Sequence, residues 1–434
     1  MTRAFRAIAA LSLALSAWIA PEMPVRAERV TVFYNLCSHT DCSEGFYPSS
    51  TLLADAQGNL YGTTLGGGAG GAGTVFKLSP MGTGTALHSF SFGSGANGLL
   101  PYGQLLADTS GNLYGTTLVG GASVVNCFGM GAGFTGCGTV FKLSPDGTQT
   151  VLYAPGPIGA NPSGLAFDKT GNLYGTTVYG GAIKTCVTYG CGTVYELTTG
   201  GRKKVLHAFG GGNDGAYPRF LMEYHGSFYG VTAYGGSTAV CTESGNIGCG
   251  TVYKLMPDGT TTILYTFLGG SDGARPESQL IADSAGNLYG TTMLGGGSNK
   301  CLYGCGTVFE LASNGVETVL YAFKGGRDGA WPLTGPLYRN AATGALSGTT
   351  SHGGNDVSCP VSAMNPLAGC GTLYKLNPPS SSSGTWTESV LHRLDASVDG
   401  EYPPHSLVDI KGHLYTTTNI GGVDGSGTVL ALKR

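Results

Sequence analysis

The chain has 434 residues, of which 76 are glycine and 23 tyrosine; only 11% are charged, and the formal net charge is −3. That balance offers no basic field, which excludes nucleic acid as an expected partner. Length alone would suggest two or three domains, but an internal repeat overrides that prior.

In chain order, residues 1–27 read as an export signal. Arg3 and Arg6 precede an apolar run from Ile8 to Ala20, and Val25-Arg26-Ala27 suits a signal peptidase, so cleavage after Ala27 is expected. The alternative is an uncleaved anchor, but the run is shorter than the ~20 residues a spanning helix needs. No later stretch is apolar enough to span a bilayer, and the chain ends at Leu432-Lys433-Arg434 without a hydrophobic tail. A secreted or periplasmic monomer is expected, with residues 28–434 forming one domain.

Residues 29–36 form a β-type stretch that precedes the first repeat. The repeat is marked by Gly-Asn-Leu-Tyr-Gly-Thr-Thr, complete at 58–64, 111–117, 171–177 and 286–292 and worn at 226–232, 344–350 and 412–418. Residues 276–323 show one unit. Strand A covers 277–282, the turn Asp283-Ser284-Ala285-Gly286 follows, and strand B covers 287–292. A glycine-rich loop (295–304) leads to strand C (306–311), a tight hairpin at Ser313-Asn314-Gly315, and strand D (318–323). Strands B, C and D are rich in Val, Leu, Tyr, Phe and Thr, which suit a packed pleated surface. Several are apolar on both faces, as in sheets covered on both sides. The glycine inside strand B predicts a close approach by another backbone. Seven such units predict an all-β protein, a seven-bladed β-propeller of four-stranded blades. Residues 29–36 match strand D and residues 427–432 match strand C, so the N-terminal strand is expected to pair into the last blade. That closes the ring and removes its open edges.

Twelve cysteines fall into six close pairs: Cys37 and Cys42, Cys127 and Cys137, Cys186 and Cys191, Cys241 and Cys249, Cys301 and Cys305, Cys359 and Cys370. In repeats two to six the second member directly precedes the Gly-Thr of strand C, and repeats one and seven lack both members. Joint presence or absence in an exported chain predicts local disulfides stapling glycine-rich loops. Metal binding is the alternative, but two thiolates do not complete a zinc site and no histidine recurs beside them. No metal centre or cofactor is expected from these pairs.

Strand order puts the D–A and B–C loops on one face and the short hairpins on the other. Long variable loops on a rigid scaffold are where binding lives. The D–A loops repeat a pattern that gives Asp214, Asp272, Asp328 and Asp399 equivalent places, and the residue before the following proline is often aromatic: Tyr47, Tyr217, Trp331, Tyr402. One reading is a ring of carboxylates and aromatics at the channel mouth, suited to a sugar or to Ca²⁺. The other is turn chemistry, with the aromatic wedged between blades, and recurrence across blades favours it. His88, His207 and His392 stand where other repeats have tyrosine, whereas His352 and His405 break the pattern near the loop face. No nucleophile elbow, metalloprotease or phosphate-loop motif occurs, so catalytic residues are unknown.

The paired motifs Leu-Tyr-Gly-Thr-Thr-x-x-Gly-Gly and Gly-Thr-Val-Phe-Lys-Leu (60–68 with 73–78, 113–121 with 138–143) resemble the Gloeo/Verruco, or GloVer, tandem repeat across nearly the whole mature chain. The resemblance implies an exported bacterial protein and supplies no catalytic residues. Members often carry a C-terminal anchoring signal, and this chain departs from them by ending without one. The expected function is a disulfide-stapled binding or structural module for a glycan or a cell-envelope protein. The alternative is a hydrolase or lyase with its site in the central funnel on the loop face. Non-repeated charges converging there would favour the enzyme, the candidates being Arg219, Arg275, Glu277, Arg327, Glu401 and His405.

Overall fold

The computed structural model describes residues 29–433 except 39, 122–126, 128–135, 157–158, 182–185, 187–189, 237–240, 242–247, 356, 361–366 and 382–383. The expected export signal and its expected cleavage point lie outside the described residues. Seven antiparallel sheets, each ordered A-B-C-D from the axis outward, form a seven-bladed propeller. Blade 7 takes strand A (Val408–Ile410), B (His413–Thr418) and C (Thr428–Lys433) from the C-terminal end, and its strand D is Arg29–Asn35. That N-terminal strand pairs antiparallel with strand C from Arg29↔Lys433 to Asn35↔Thr428, closing the ring as the repeat phase requires. Strand A is less regular than the repeat implies. In blade 5 only Ala274–Pro276 and Ile281–Ala282 join the ladder, and residues 277–280 run between them off the ladder.

Three recurring contacts explain the repeat's letters. The first joins strands B and C within a blade. The last threonine of each strand B meets the threonine opening strand C: Thr64 and Thr74, Thr117 and Thr139, Thr177 and Thr193, Thr232 and Thr251, Thr292 and Thr307, Thr350 and Thr372, Thr418 and Thr428, all at 2.7–2.9 Å and buried. Buried hydroxyls thus satisfy one another across the pair.

The second contact fills the space above the strand B glycine. The sequence predicts a neighbouring backbone there; the structure places an aromatic ring instead. A Cβ on Gly62, Gly115, Gly175, Gly230, Gly290 or Gly348 would lie within 2.8 Å of the strand C ring of Phe76, Phe141, Tyr195, Tyr253, Phe309 or Tyr374. Those rings are fully buried. In blade 7 both partners change together: Thr416 replaces the glycine and its cross-strand partner is Leu430.

The third contact joins neighbouring blades. The glycine before each strand C threonine lies under the proline of the next strand A. A Cβ on Gly73, Gly138, Gly192, Gly250, Gly306, Gly371 or Gly427 would come within 2.7 Å of Cδ of Pro101, Pro162, Pro218, Pro276, Pro332, Pro403 or Pro48. All seven glycines have φ between 89° and 103°, which glycine alone adopts without strain. The residue before each proline, Tyr47, Leu100, Asn161, Tyr217, Arg275, Trp331 or Tyr402, is itself left-handed, with φ of 52–59°. This turns its N–H back onto the previous blade. Tyr217, Arg275, Trp331 and Tyr402 donate to the carbonyls of Cys191, Cys249, Cys305 and Cys370 at 2.7–2.9 Å, and Tyr47 donates to Ser426 across the closure.

All six disulfides join the pairs read from the sequence. In blades 2 to 6 each fixes the cysteine just before the strand C glycine, and so the contact to the next blade. Rings this small stabilise modestly, by ~2 kcal/mol each.

The glycine–ring contact yields a test. Gly290→Ala should lower stability by about 1–3 kcal/mol, the usual cost of overpacking a core. Adding Phe309→Leu should recover part of that loss, because the second change makes room for the first. Denaturant unfolding of the two single variants and the double variant measures this coupling; strictly additive effects would contradict it.

Candidate functional site

The four equivalent aspartates are held by their own blades. Asp214 accepts from Gly210 N at 2.7 Å and lies 3.0 Å from His207 Nε2. Asp272 accepts from Tyr265 Oη and Leu268 N, and Asp328 from Tyr321 Oη and Lys324 N, at 2.6–2.7 Å. Asp399 lies 2.6 Å from His392 Nε2 and accepts from Asp395 N. In each case the side chain seven residues earlier, on outer strand D, clamps the carboxylate into a short 3-10 turn or bend. The geometry therefore binds each aspartate to the rim of its blade.

Two of these aspartates face a glutamate of the following blade. Burial, followed by the charge of Asp328, pushes Glu388 up to about 7, against Arg393 and Lys324, which pull it down. Glu317 stands in the same place against Asp272 and is raised by burial and then by Asp272. Both fold most favourably in the protonated form. The stability they contribute is complete below the ordinary glutamate range and is lost as pH rises through the raised values. Glu388→Gln should therefore raise the melting temperature relative to the unsubstituted protein more at pH 8 than at pH 5. An equal difference at both pH values would contradict the pairing.

Nearer the axis, the left-handed residues before the prolines form a tier with the ends of the B strands. Tyr217 packs between Tyr179 and Tyr234, with ring centroids at 5.2 and 5.6 Å. Arg275 lies over the Tyr234 ring at 5.5 Å. His352 packs between Trp331 and Tyr402 at 4.8 and 5.1 Å. Burial lowers His352 to about 4, so it is neutral at physiological pH. Of the aromatic residues read as candidate binders, Tyr217, Trp331 and Tyr402 all belong to this tier.

Next to it lies a cluster drawn from several blades. Arg219 Nη2 and Arg275 Nε both donate to Glu277 Oε1, at 3.2 and 2.8 Å. The two guanidinium side chains are 22% and 32% exposed, but the Glu277 side chain only 9%. Burial raises Glu277, yet the arginines outweigh it and hold its carboxyl below the usual range. Burial opposes both guanidinium charges, and Glu277 more than restores them. Tyr102, in strand A of blade 2, feels Arg219 and Glu277, and burial raises its hydroxyl. His405, buried in blade 7, lies 6.4 Å from the Tyr102 ring and 3.4 Å from Thr334 Oγ1. Burial pushes His405 down to about 3. Gln279 ties the cluster together, its Nε2 donating to the Leu221 carbonyl at 3.0 Å. Arg219 Nε and Gln279 Oε1 are buried and have no protein partner.

Of the six non-repeated charged candidates, the structure brings together Arg219, Arg275 and Glu277, with His405 nearby. It does not bring in Arg327 or Glu401. Arg327 is exposed on its 3-10 turn, where its carbonyl accepts from Arg393 Nε. Glu401 lies against the disulfide sulfur of Cys359, at 2.8 Å. Sequence reasoning missed Tyr102, Thr334 and Gln279. For Tyr102 a signal was available: the column directly after each proline reads Ser49, Tyr102, Ser163, Arg219, Glu277, Leu333 and Pro404, a varied position beside an invariant one.

The family model for the Gloeobacter/Verrucomicrobia repeat matches residues 127–358 and 238–430. No curated protein matches the chain. Among solved structures, the extracellular domain assigned to a hybrid two-component system of B. thetaiotaomicron is similar at 11% identity and TM-score 0.54, over 94% of this chain and 40% of that one. A gluconolactonase from Xanthomonas campestris (12% identity, TM-score 0.41, 74% and 86% covered) and a luciferin-regenerating enzyme (13%, 0.44, 81% and 96%) are more distant in shape. At such identities the likeness extends to the fold alone.

Proposed function

The chain belongs to the Gloeobacter/Verrucomicrobia repeat family, and from that premise we propose that it is an exported binding module whose ligand is a carbohydrate of the cell envelope or its surroundings, taken at the loop-face end of the ring axis. One observation carries this reading: a tier of aromatic side chains lies beside polar groups contributed by different blades, two of them buried without a protein partner. Stacking faces together with a few fixed polar groups are what a sugar ring requires. The six disulfides support export.

A hydrolase or lyase acting at the same axis is the second reading, favoured by the convergence of non-repeated charges. The proton affinities weigh against it. A general acid or base works best with a pKa near the working pH, whereas His405 is pushed to about 3, His352 to about 4, and Glu277 is held ionised.

A glycan array probed with the exported chain, with and without calcium, tests the proposal. One saccharide class should bind, and Trp331→Ala should weaken that binding by about tenfold or more while the protein stays folded. Binding untouched by Trp331→Ala would move the site elsewhere, and release of shortened saccharide would restore the enzyme reading.

A further inference from the structure

The charges on the axis are unequal. Arg219 and Arg275 meet one carboxylate, Glu277, and both bond the same oxygen of it. These bonds use two of the about ten N–H donors that two guanidinium forks carry. Arg219 Nε is buried and unpartnered. The more accessible members of the trio are the cations, at 22% and 32% exposed, and the anion is the sheltered member. The nearby titratable groups bring no further charge: Tyr102 keeps its proton, and His405 and His352 stay neutral near pH 7. An incoming ligand therefore meets a net charge of about +1 with planar, bidentate donors to spare, a geometry that matches a carboxylate. Arg275 stands at the left-handed position before Pro276, over the Tyr234 ring, so this charge sits within the aromatic tier rather than apart from it.

We propose, resting on the carbohydrate reading above, that the ligand is an acidic saccharide, a uronate, with its carboxylate held by Arg219 and Arg275 and its ring placed against the aromatic tier. Glu277 holds the two forks side by side on one oxygen, and it competes with the ligand for them.

Calorimetric titration of the exported chain with a panel of uronate oligosaccharides, each paired with its neutral methyl ester, tests this. For at least one pair the acid should bind about tenfold tighter than its ester, as a charge-assisted hydrogen bond allows, and added salt should weaken only the acid. Arg275→Gln, at the more exposed of the two arginines, should erase the preference, and Glu277→Gln should widen it by removing the competing carboxylate. Melting curves check that both variants remain folded. If esters or other neutral saccharides bind as well as the acids, and Trp331→Ala weakens them, the carboxylate assignment is wrong and the carbohydrate reading stands. If neither the uronates nor any glycan on the array binds, the carbohydrate reading falls and this proposal falls with it.

Discussion

Each blade hangs on the one before it through a proline seated on a glycine. The glycine has no side chain and a φ that other residues resist, so the proline ring can lie directly on its backbone. The residue before the proline then turns left-handed, a conformation that costs a non-glycine residue of order 1 kcal/mol, and its N–H crosses to the neighbouring blade. Proline has no N–H of its own, so the bond between blades must come from the residue before it. The strain recurs at all seven joints, and at the five joints that follow blades 2 to 6 a disulfide anchors the acceptor of the cross-blade bond. At the closure Gly427 and Pro48 make the same contact although they stand at opposite ends of the chain.

This joint also explains why the candidate site lies where it does. The left-handed residue is bonded through its backbone, which leaves its side chain unconstrained in type. Seven positions fixed by backbone chemistry thus carry Tyr, Leu, Asn, Tyr, Arg, Trp and Tyr. The next column inward is equally varied, and there Arg219, Glu277 and Tyr102 meet. A regular frame presents irregular side chains at one end of its axis, the arrangement expected where loops and strand ends carry recognition on a rigid scaffold.

Much of the frame is legible in the sequence because the repeat states each contact six or seven times. The Thr-Thr of strand B and the Gly-Thr of strand C are one hydrogen-bonded pair written in two places, and the phase of residues 29–36 reveals the closure. The disulfides follow because cysteines come and go in pairs. The cluster on the axis is less legible. Tyr102, Arg219, Glu277 and Thr334 are separated by more than fifty residues each and share no motif, so only the ring geometry shows that they converge. The aspartates illustrate the opposite case: the sequence makes them equivalent, but equivalence does not tell rim from axis. The tyrosine or histidine seven residues upstream decides that, through a bond the repeat does not announce.

The buried contact between the strand B glycine and the strand C ring has a consequence for how such an array diversifies. A side chain added at the glycine collides with the ring, and a smaller residue in place of the ring leaves a hole. Neither change is tolerated well alone, so duplicated units drift at this place two residues at a time. Blade 7, with Thr416 beside Leu430, carries both halves of that exchange, so the sheet that closes the ring fills the same place with the bulk divided differently between its two strands.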